Sequence, residues 1–128
     1  MAPVIYLDTH VAVWLYSSGA QSLSPRAAEL IEESDDLRIS PMVRLELQYL
    51  YEIGRVGEPA ATVMDALHMS LGLAVCRAPF AAVVGAAEGL GWTRDPFDRL
   101  IVAQAALHGA TLLTKDDDLH EHYAGAVW

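Results

Sequence analysis

Short apolar runs alternate along the chain with longer segments of helical periodicity. The apolar runs predict strands that are buried on both faces. They are "PVIYL" (3–7), "LRIS" (37–40), "GLAVC" (72–76) and "ATLLT" (110–114). The segments between them lack the Asn-Gly or Asp-Gly turns that would join hairpins. We therefore expect an α/β fold with a parallel sheet covered by helices on both faces.

Capping residues mark where the helices begin. Ser24, Ser40 and Asp95 each precede a proline and an amphipathic segment, and Thr9 is placed to cap the first helix. The predicted helices cover residues 9–18, 24–34, 40–53, 59–71, 79–88 and 95–108. The acidic segment "KDDDLHEH" after the fourth strand is expected to be an exposed turn, followed by a short "AVW" terminus.

Length and composition fit a single domain over residues 1–128, since 53% of the residues are apolar. The net charge of −9 argues against binding nucleic acid through a broad positive field. It still allows an enzyme that contacts nucleic acid briefly through a few cations and a metal. The opening "MAPVIYLD" has no signal-peptide character, and no apolar run reaches the roughly 20 residues that span a bilayer. We expect a soluble, cytoplasmic protein without a membrane segment.

Carboxylates occur where the pattern predicts core or strand ends. Asp8 directly follows the first strand and Asp116 comes shortly after the fourth, so parallel strands would bring both to one edge of the sheet. Glu46 and Asp98 have apolar neighbours three and four positions away, Tyr49 among those of Glu46. Both acids are therefore expected on the buried faces of their helices.

A divalent cation would make these inward carboxylates tolerable. An unpaired buried carboxylate costs several kcal/mol, and 8 Lys and Arg residues cannot readily pair with every inward acid. Donors that are all oxygen favour Mg²⁺ or Mn²⁺ over zinc. A structural alternative covers part of the set, because Asp95 can cap its helix and Asp98 can complete a capping box. That alternative leaves Glu46 and the aspartates after the strands unexplained.

Four segments together resemble the PIN-domain family and, within it, the VapC-type toxins of bacterial toxin–antitoxin pairs. They are "YLDTH", "ISPMVRLEL", "DPFDRLIVAQA" and "ATLLTKDDDL", and the resemblance extends from Val4 to Leu119. It implies a PIN-like (Rossmann-like), three-layer α/β/α fold around a mainly parallel sheet of about four or five strands. It also implies a metal-dependent ribonuclease site that hydrolyses RNA phosphodiester bonds.

The resemblance assigns roles to particular residues. The acids expected to bind Mg²⁺ or Mn²⁺ and to catalyse hydrolysis are Asp8, Glu46, Asp98 and, at a position that varies more in the family, Asp116. Residues close enough in sequence to assist are Asp95, Asp118, Thr9 and Thr114. Candidates for phosphate contact, with solvated surface charge as the alternative, are Arg94, Arg99 and Lys115.

The resemblance also implies partners, and two rival functions remain to be weighed against it. VapC-like proteins form homodimers and bind a cognate VapB-like antitoxin, and an acidic domain suits a basic inhibitory peptide. Trp14 and Tyr49 are expected in the core or an interface, although they could also be stacking platforms for RNA bases. Two other functions remain open: a catalytically idle PIN-like binding module, and a phosphohydrolase with Asp8 as nucleophile.

Overall fold

The computed structural model describes residues 3–128. Met1 and Ala2, which belong to the opening segment without signal-peptide character, lie outside the described residues. Strands and helices alternate along most of the chain. The strands are β1 (Ile5–Leu7), β2 (Leu37–Ile39), β3 (Ala74–Val75), β4 (Thr111–Leu113) and β5 (Ala126–Val127). The helices are α1 (Thr9–Ser18), α2 (Pro25–Glu33), α3 (Pro41–Glu52), α4 (Ala60–Leu71), α5 (Phe80–Glu88), α6 (Pro96–Leu107) and α7 (Asp117–His122), with a 3₁₀ turn at Gly19–Ser22.

The five strands form one parallel sheet in the order β3-β2-β1-β4-β5. In the register of the central strand, Ile5 lies opposite Leu37 of β2 on one side and Thr111 of β4 on the other. The strand order reverses between β1 and β4, which opens a crevice outside their carboxyl ends. Asp8 and Asp116 follow these two strands and therefore lie at the crevice.

The core is built around β1, in which Ile5, Tyr6 and Leu7 are each at most 1% exposed. Because successive strand side chains point to opposite faces, burial of all three requires cover on both faces of the sheet. Ile101 and Val102 of α6 pack into the same core. The expected α/β class with a covered parallel sheet is confirmed.

Most predicted helix starts are confirmed, and one is wrong. Ser24 and Ser40 cap α2 and α3 through their hydroxyls, with a proline at the first helical positions. Thr9 was expected to cap α1, but the cap is Asp8, which accepts a hydrogen bond from the Thr9 backbone N–H. The Thr9 hydroxyl takes no part in the cap, because it donates a hydrogen bond to Glu46.

The acidic segment after β4 is exposed as expected, apart from Leu119, but it forms a helix, so the expectation of a turn is wrong. Asp116 caps α7, and Leu119 anchors it with a fully buried side chain. The six residues of α7 are too few to show helical periodicity in the sequence. The chain then ends beside β4 in the short strand β5.

The buried stripe of α3 differs from the expected one. It comprises Val43, Leu47 and Leu50, at positions i, i+4 and i+7. Glu46 lies next to this stripe and is half-buried, whereas Tyr49 is 47% exposed. The expected burial of Glu46 is therefore met only in part, and of the two places expected for Tyr49 the core is excluded. Within residues 3–128, no helix combines the length and apolar character needed to cross a bilayer.

Candidate metal centre

Asp8 is fixed at the carboxyl end of β1 by two hydrogen bonds. Its Oδ1 accepts from the Thr9 backbone N–H at 2.8 Å, and its Oδ2 accepts from the Thr114 hydroxyl at 2.7 Å. The side chain is only 9% exposed, and Thr9 and Thr114 are fully buried beside it. The crevice between β1 and β4 thus holds a carboxylate of defined orientation.

Glu46 is held by a second threonine hydroxyl. The Thr9 side chain donates a hydrogen bond to Glu46 Oε1, which links the start of α1 to the middle of α3. Thr9 and Thr114 were expected to position water or ligands. The structure gives both a more specific contact, because each holds one of the candidate acids.

Asp98 lies in the first turn of α6 and is half-buried. Asp95 caps that helix, accepting from the Phe97 backbone N–H at 2.8 Å. In a capping box, Asp98 would accept from the Asp95 backbone N–H, but this N–H donates to the Thr93 hydroxyl at 3.1 Å. Asp98 therefore does not complete a capping box, whereas Asp95 caps α6 as predicted.

Asp116 reaches the same region from β4. Its Oδ1 accepts from the backbone N–H groups of Asp118 at 2.8 Å and Leu119 at 3.1 Å, which caps α7. Its own N–H donates to the Thr114 hydroxyl at 3.1 Å. Thr114 therefore connects Asp116 to Asp8 through one buried oxygen.

The electrostatics of Asp98 show which acids share a space with it. Burial, followed by the negative charges of Asp95, Asp8, Asp116 and Glu46, raises the pKa of Asp98 from 3.8 to about 7. A negative charge raises the pKa of a carboxyl group when the two lie close together, so these four acids are neighbours of Asp98. We call the group of Asp8, Glu46, Asp98 and Asp116 the acidic cleft; Asp95 lies at its edge.

The pKa values of Asp8 and Glu46 are shifted in the same direction. Burial raises the pKa of Asp8, and the Thr114 and Thr9 hydrogen bonds oppose this rise. Burial also raises the pKa of Glu46, opposed by the Thr9 hydroxyl and increased by the charge of Asp8. The acidic cleft is thus a place where adding a positive charge is favourable.

Side-chain cations do not neutralise the acidic cleft. Within residues 3–128, the one ion pair closer than 4.0 Å joins Arg38 to Asp36, on and next to β2. The described residues also contain no three His, Cys, Asp or Glu side chains that already converge as a metal site. The acids of the cleft are therefore near enough to act on the pKa of Asp98, but their side chains do not form a ready metal site.

The comparisons with known proteins identify the family. The family model of the PIN domain matches residues 5–125. The chain belongs to the PIN domain family. This PIN domain is also 35% identical over 124 residues to Ribonuclease VapC22 of Mycobacterium tuberculosis, covering 92% of this chain and 91% of that protein.

Solved structures have the same fold as this PIN domain. VapBC2 from Rickettsia felis, bound to a DNA fragment from its promoter, aligns with a TM-score of 0.68 at 21% identity, over 94% of this chain and 93% of that one. A toxin–antitoxin complex from Klebsiella pneumoniae aligns with a TM-score of 0.64 at 18% identity, over 97% and 96% of the two chains. At these identities the likeness establishes the fold.

The three predicted phosphate contacts of the PIN domain differ in their surroundings. Arg99 donates to the backbone carbonyl oxygens of Ala87 and Glu88 at the end of α5. Arg94 donates to the Gly91 carbonyl at 2.8 Å. These contacts account for both arginines without a phosphate. Lys115 is exposed and lines a pocket together with Asp8 and Asp116.

Two further residues, His10 and Trp14, line the same pocket as Lys115. Trp14 was expected in the core or an interface, with base stacking as the other possibility, but neither residue was assigned to the acidic site from the sequence. His10 received no role from the sequence, although its place two residues after Asp8, at the start of a helix, could have pointed to the cleft. Asp118, predicted to assist, is exposed on α7 and contributes its backbone N–H to the Asp116 cap.

Proposed function

We propose that this PIN domain is a Mg²⁺-dependent endoribonuclease that cleaves RNA phosphodiester bonds, the toxin of a VapBC-type pair in the cytoplasm. The observation that carries the proposal is the acidic cleft at the strand-order reversal. There Asp98 is surrounded by other acids that raise its pKa. The relative named as a ribonuclease, similar over nearly its whole length, supports the same function.

The donor set of the acidic cleft fits Mg²⁺ or Mn²⁺. All of its side-chain donors are carboxylate oxygens, and no histidine or thiol is needed. Mg²⁺ keeps several of its own waters and commonly uses one or two carboxylates directly. Because such an ion reaches some of its protein ligands through water, the acids need not all converge on it. Asp8, Glu46 and Asp98 would hold it, with Asp116 completing the site.

The carboxylates of the cleft and the neighbouring Lys115 have different tasks in the proposed reaction. A bound cation would withdraw charge from the phosphodiester and would lower the pKa of water. Asp8 and Glu46, oriented by the hydroxyls of Thr114 and Thr9, fix where positive charge can sit. A cleft carboxylate accepts the proton of the attacking water. Lys115 contributes a positive charge to the phosphate side of the pocket.

Cleavage of single-stranded RNA with Mg²⁺ and with EDTA tests the proposal. We expect cleavage by the wild type only with the metal. Asp98→Asn should reduce the rate by more than about 100-fold, because loss of even an outer-shell partner costs about 10- to 100-fold. The matched control is Asp65→Asn, which removes an exposed carboxylate from α4. Cleavage in EDTA, or full activity of Asp98→Asn, would contradict the proposal.

The two other functions are less well supported. Phosphohydrolases with an aspartate nucleophile after a strand resemble the pattern DxDGT, whereas the sequence from Asp8 reads "DTHVA" and lacks the second aspartate. An idle binding module has no use for acids whose mutual repulsion raises the pKa of Asp98. Trapping of a phosphorylated Asp8 would favour the phosphohydrolase.

An antitoxin partner is supported by an apolar groove as well as by the charge of the domain. The groove, of about 330 Å³, runs between α1, α2 and α4 and is lined by Leu15, Leu23, Ile31 and Leu71 among others. An amphipathic helix of a VapB-like antitoxin would fit it, followed by a basic segment over the acidic cleft. Leu71→Asp should weaken co-purification with a co-expressed antitoxin. Met69→Asp, at an 87% exposed site on the same helix, should not.

A homodimer is supported by the exposed face of α3. Leu45, Tyr49 and Ile53 lie four residues apart at its outer side and are 55%, 47% and 49% exposed. Large apolar side chains in one row commonly mark a protein interface. Tyr49 also packs against Phe97 at the start of α6, with the ring centroids 6.1 Å apart. The proposed dimer surface is thus adjacent to the helix that carries Asp98.

A further inference from the structure

A pocket of about 300 Å³ opens beside the acidic cleft and shares Asp8 and Asp116 with it. Its remaining lining consists of His10, Trp14 and Lys115, and we call it the His10–Trp14 pocket. It therefore combines two carboxylates, two aromatic rings and one ammonium group.

The two rings are placed on the same side of α1. His10 and Trp14 are one helical turn apart, with their centroids 6.2 Å apart and their planes inclined by 45°. Trp14 is fixed from the other side by Trp128, in an edge-to-face contact with a centroid distance of 5.6 Å. The half-buried indole is thus held in place while part of it faces the pocket.

Core packing explains Trp14 only in part. The residue packs against the hydrophobic core, as the sequence led us to expect. His10 and Lys115, however, are exposed, so burial does not explain their positions on either side of the pocket. A flat apolar surface, a second ring and a mobile cation next to a phosphodiester-cleaving site are the elements with which proteins bind single-stranded nucleic acid.

We propose that the His10–Trp14 pocket binds the base of the RNA nucleotide next to the scissile phosphate, and that Lys115 contacts the adjoining phosphate. This inference rests on the proposed ribonuclease function. The base stacks on Trp14 and His10, so the subsite selects an unpaired nucleotide and tolerates all four bases. A base inside a duplex cannot present its face to the pocket.

The test compares cleavage of single-stranded RNA oligonucleotides that contain an abasic residue on one or the other side of the cleavage site. For the wild type, one of the two abasic RNAs should show a KM about 10-fold higher than the intact RNA, within the range known for loss of one stacked base. The His10→Ala and Trp14→Leu variants should bind the intact RNA more weakly and lose this dependence on the base. Since His10 is exposed, its variant keeps the test valid even if Trp14→Leu does not fold.

The chain supplies a matched control pair. His122, also exposed, stacks on Trp92 at a centroid distance of 4.6 Å but does not line the pocket. His122→Ala should keep the wild-type KM and the wild-type response to abasic RNA. An equal effect of His122→Ala and His10→Ala would overturn the proposal.

Salt dependence tests the role of Lys115. Lys115→Ala should reduce the slope of log KM against log salt by about 0.7, the value for one phosphate contact in single-stranded nucleic acid. Arg26→Ala, at an exposed position on α2, should leave the slope unchanged. If the wild type cuts no RNA, the ribonuclease proposal itself fails. If it cuts RNA but ignores both abasic changes, only the pocket proposal fails.

Discussion

Replacing Asp98 by asparagine is expected to stabilise the metal-free protein at slightly alkaline pH. Burial and four neighbouring negative charges raise the pKa of Asp98 from 3.8 to about 7. A carboxyl with a higher pKa in the folded state binds its proton more tightly there. Its contribution to stability is therefore complete below about pH 4 and is lost as the pH rises through about 7. Asparagine carries no charge and has no such loss.

The pKa of Asp98 sets the size of the effect. A rise from 3.8 to about 7 corresponds to at most about 4 kcal/mol. Asp98 is half-buried beside open solvent, which screens the repulsion, so we expect about 1 to 2 kcal/mol. The direction of the change in stability is informative because Asp98 lies in the first turn of α6. There a carboxylate ordinarily stabilises the helix by up to about 1 kcal/mol.

The assay is urea unfolding in EDTA at a series of pH values between about 4 and 8. The free energy of unfolding of the wild type should fall across this range more steeply than that of Asp98→Asn. The control Asp65→Asn should follow the wild type. Mn²⁺ should restore stability to the wild type at the alkaline end and have less effect on Asp98→Asn. If Asp98→Asn is as stable as the wild type or less stable at about pH 8, the acids do not repel one another as described.

Three further changes separate the contributions of individual groups. Asp116→Asn should lower Mg²⁺-dependent cleavage but keep the α7 cap, because asparagine caps as well as aspartate. Asp116→Ala should lower cleavage and also reduce the free energy of unfolding by about 1 kcal/mol, because the cap is lost. Thr114→Val removes the hydrogen bond to Asp8 and should raise the apparent Kd for Mn²⁺ in a calorimetric titration by about 10-fold or more; an unchanged Kd would show that the hydroxyl does not orient the ligand. Leu45→Asp should convert the proposed dimer to a monomer in light scattering while the control Met69→Asp does not. A Leu45→Asp dimer would place the interface elsewhere.

The regular part of the fold follows from local signals in the sequence. Two local signals are visible without tertiary information. They are the buried apolar runs of β1 and β4, and the capping residue followed by a proline at the start of α2, α3 and α6. The helix α7 is not, because its one buried anchor, Leu119, gives no periodicity. The N-cap of α1 was also missed. Asp8 was interpreted only as a candidate ligand, whereas one of its oxygens also caps the helix.

Only part of the candidate site could be predicted from the sequence, because some of its contacts depend on how the helices pack. The sequence places acids after parallel strands, and sheet geometry brings Asp8 and Asp116 to one edge. The contact of Thr9 with Glu46 joins residues 37 positions apart and depends on how α1 and α3 pack. The exposure of Tyr49 depends on that packing as well. Helical spacing gives the neighbours of a side chain on its own helix but not the rotation of the helix against the sheet.

Anomalous diffraction from a crystal soaked in Mn²⁺ tests the central claim most directly. We predict one or more peaks within coordination distance of the carboxylates of Asp8, Glu46 and Asp98, and loss of the peak in an Asp98→Asn crystal. A soaked crystal without a peak at these side chains, or with Mn²⁺ only at surface sites elsewhere, would contradict the account.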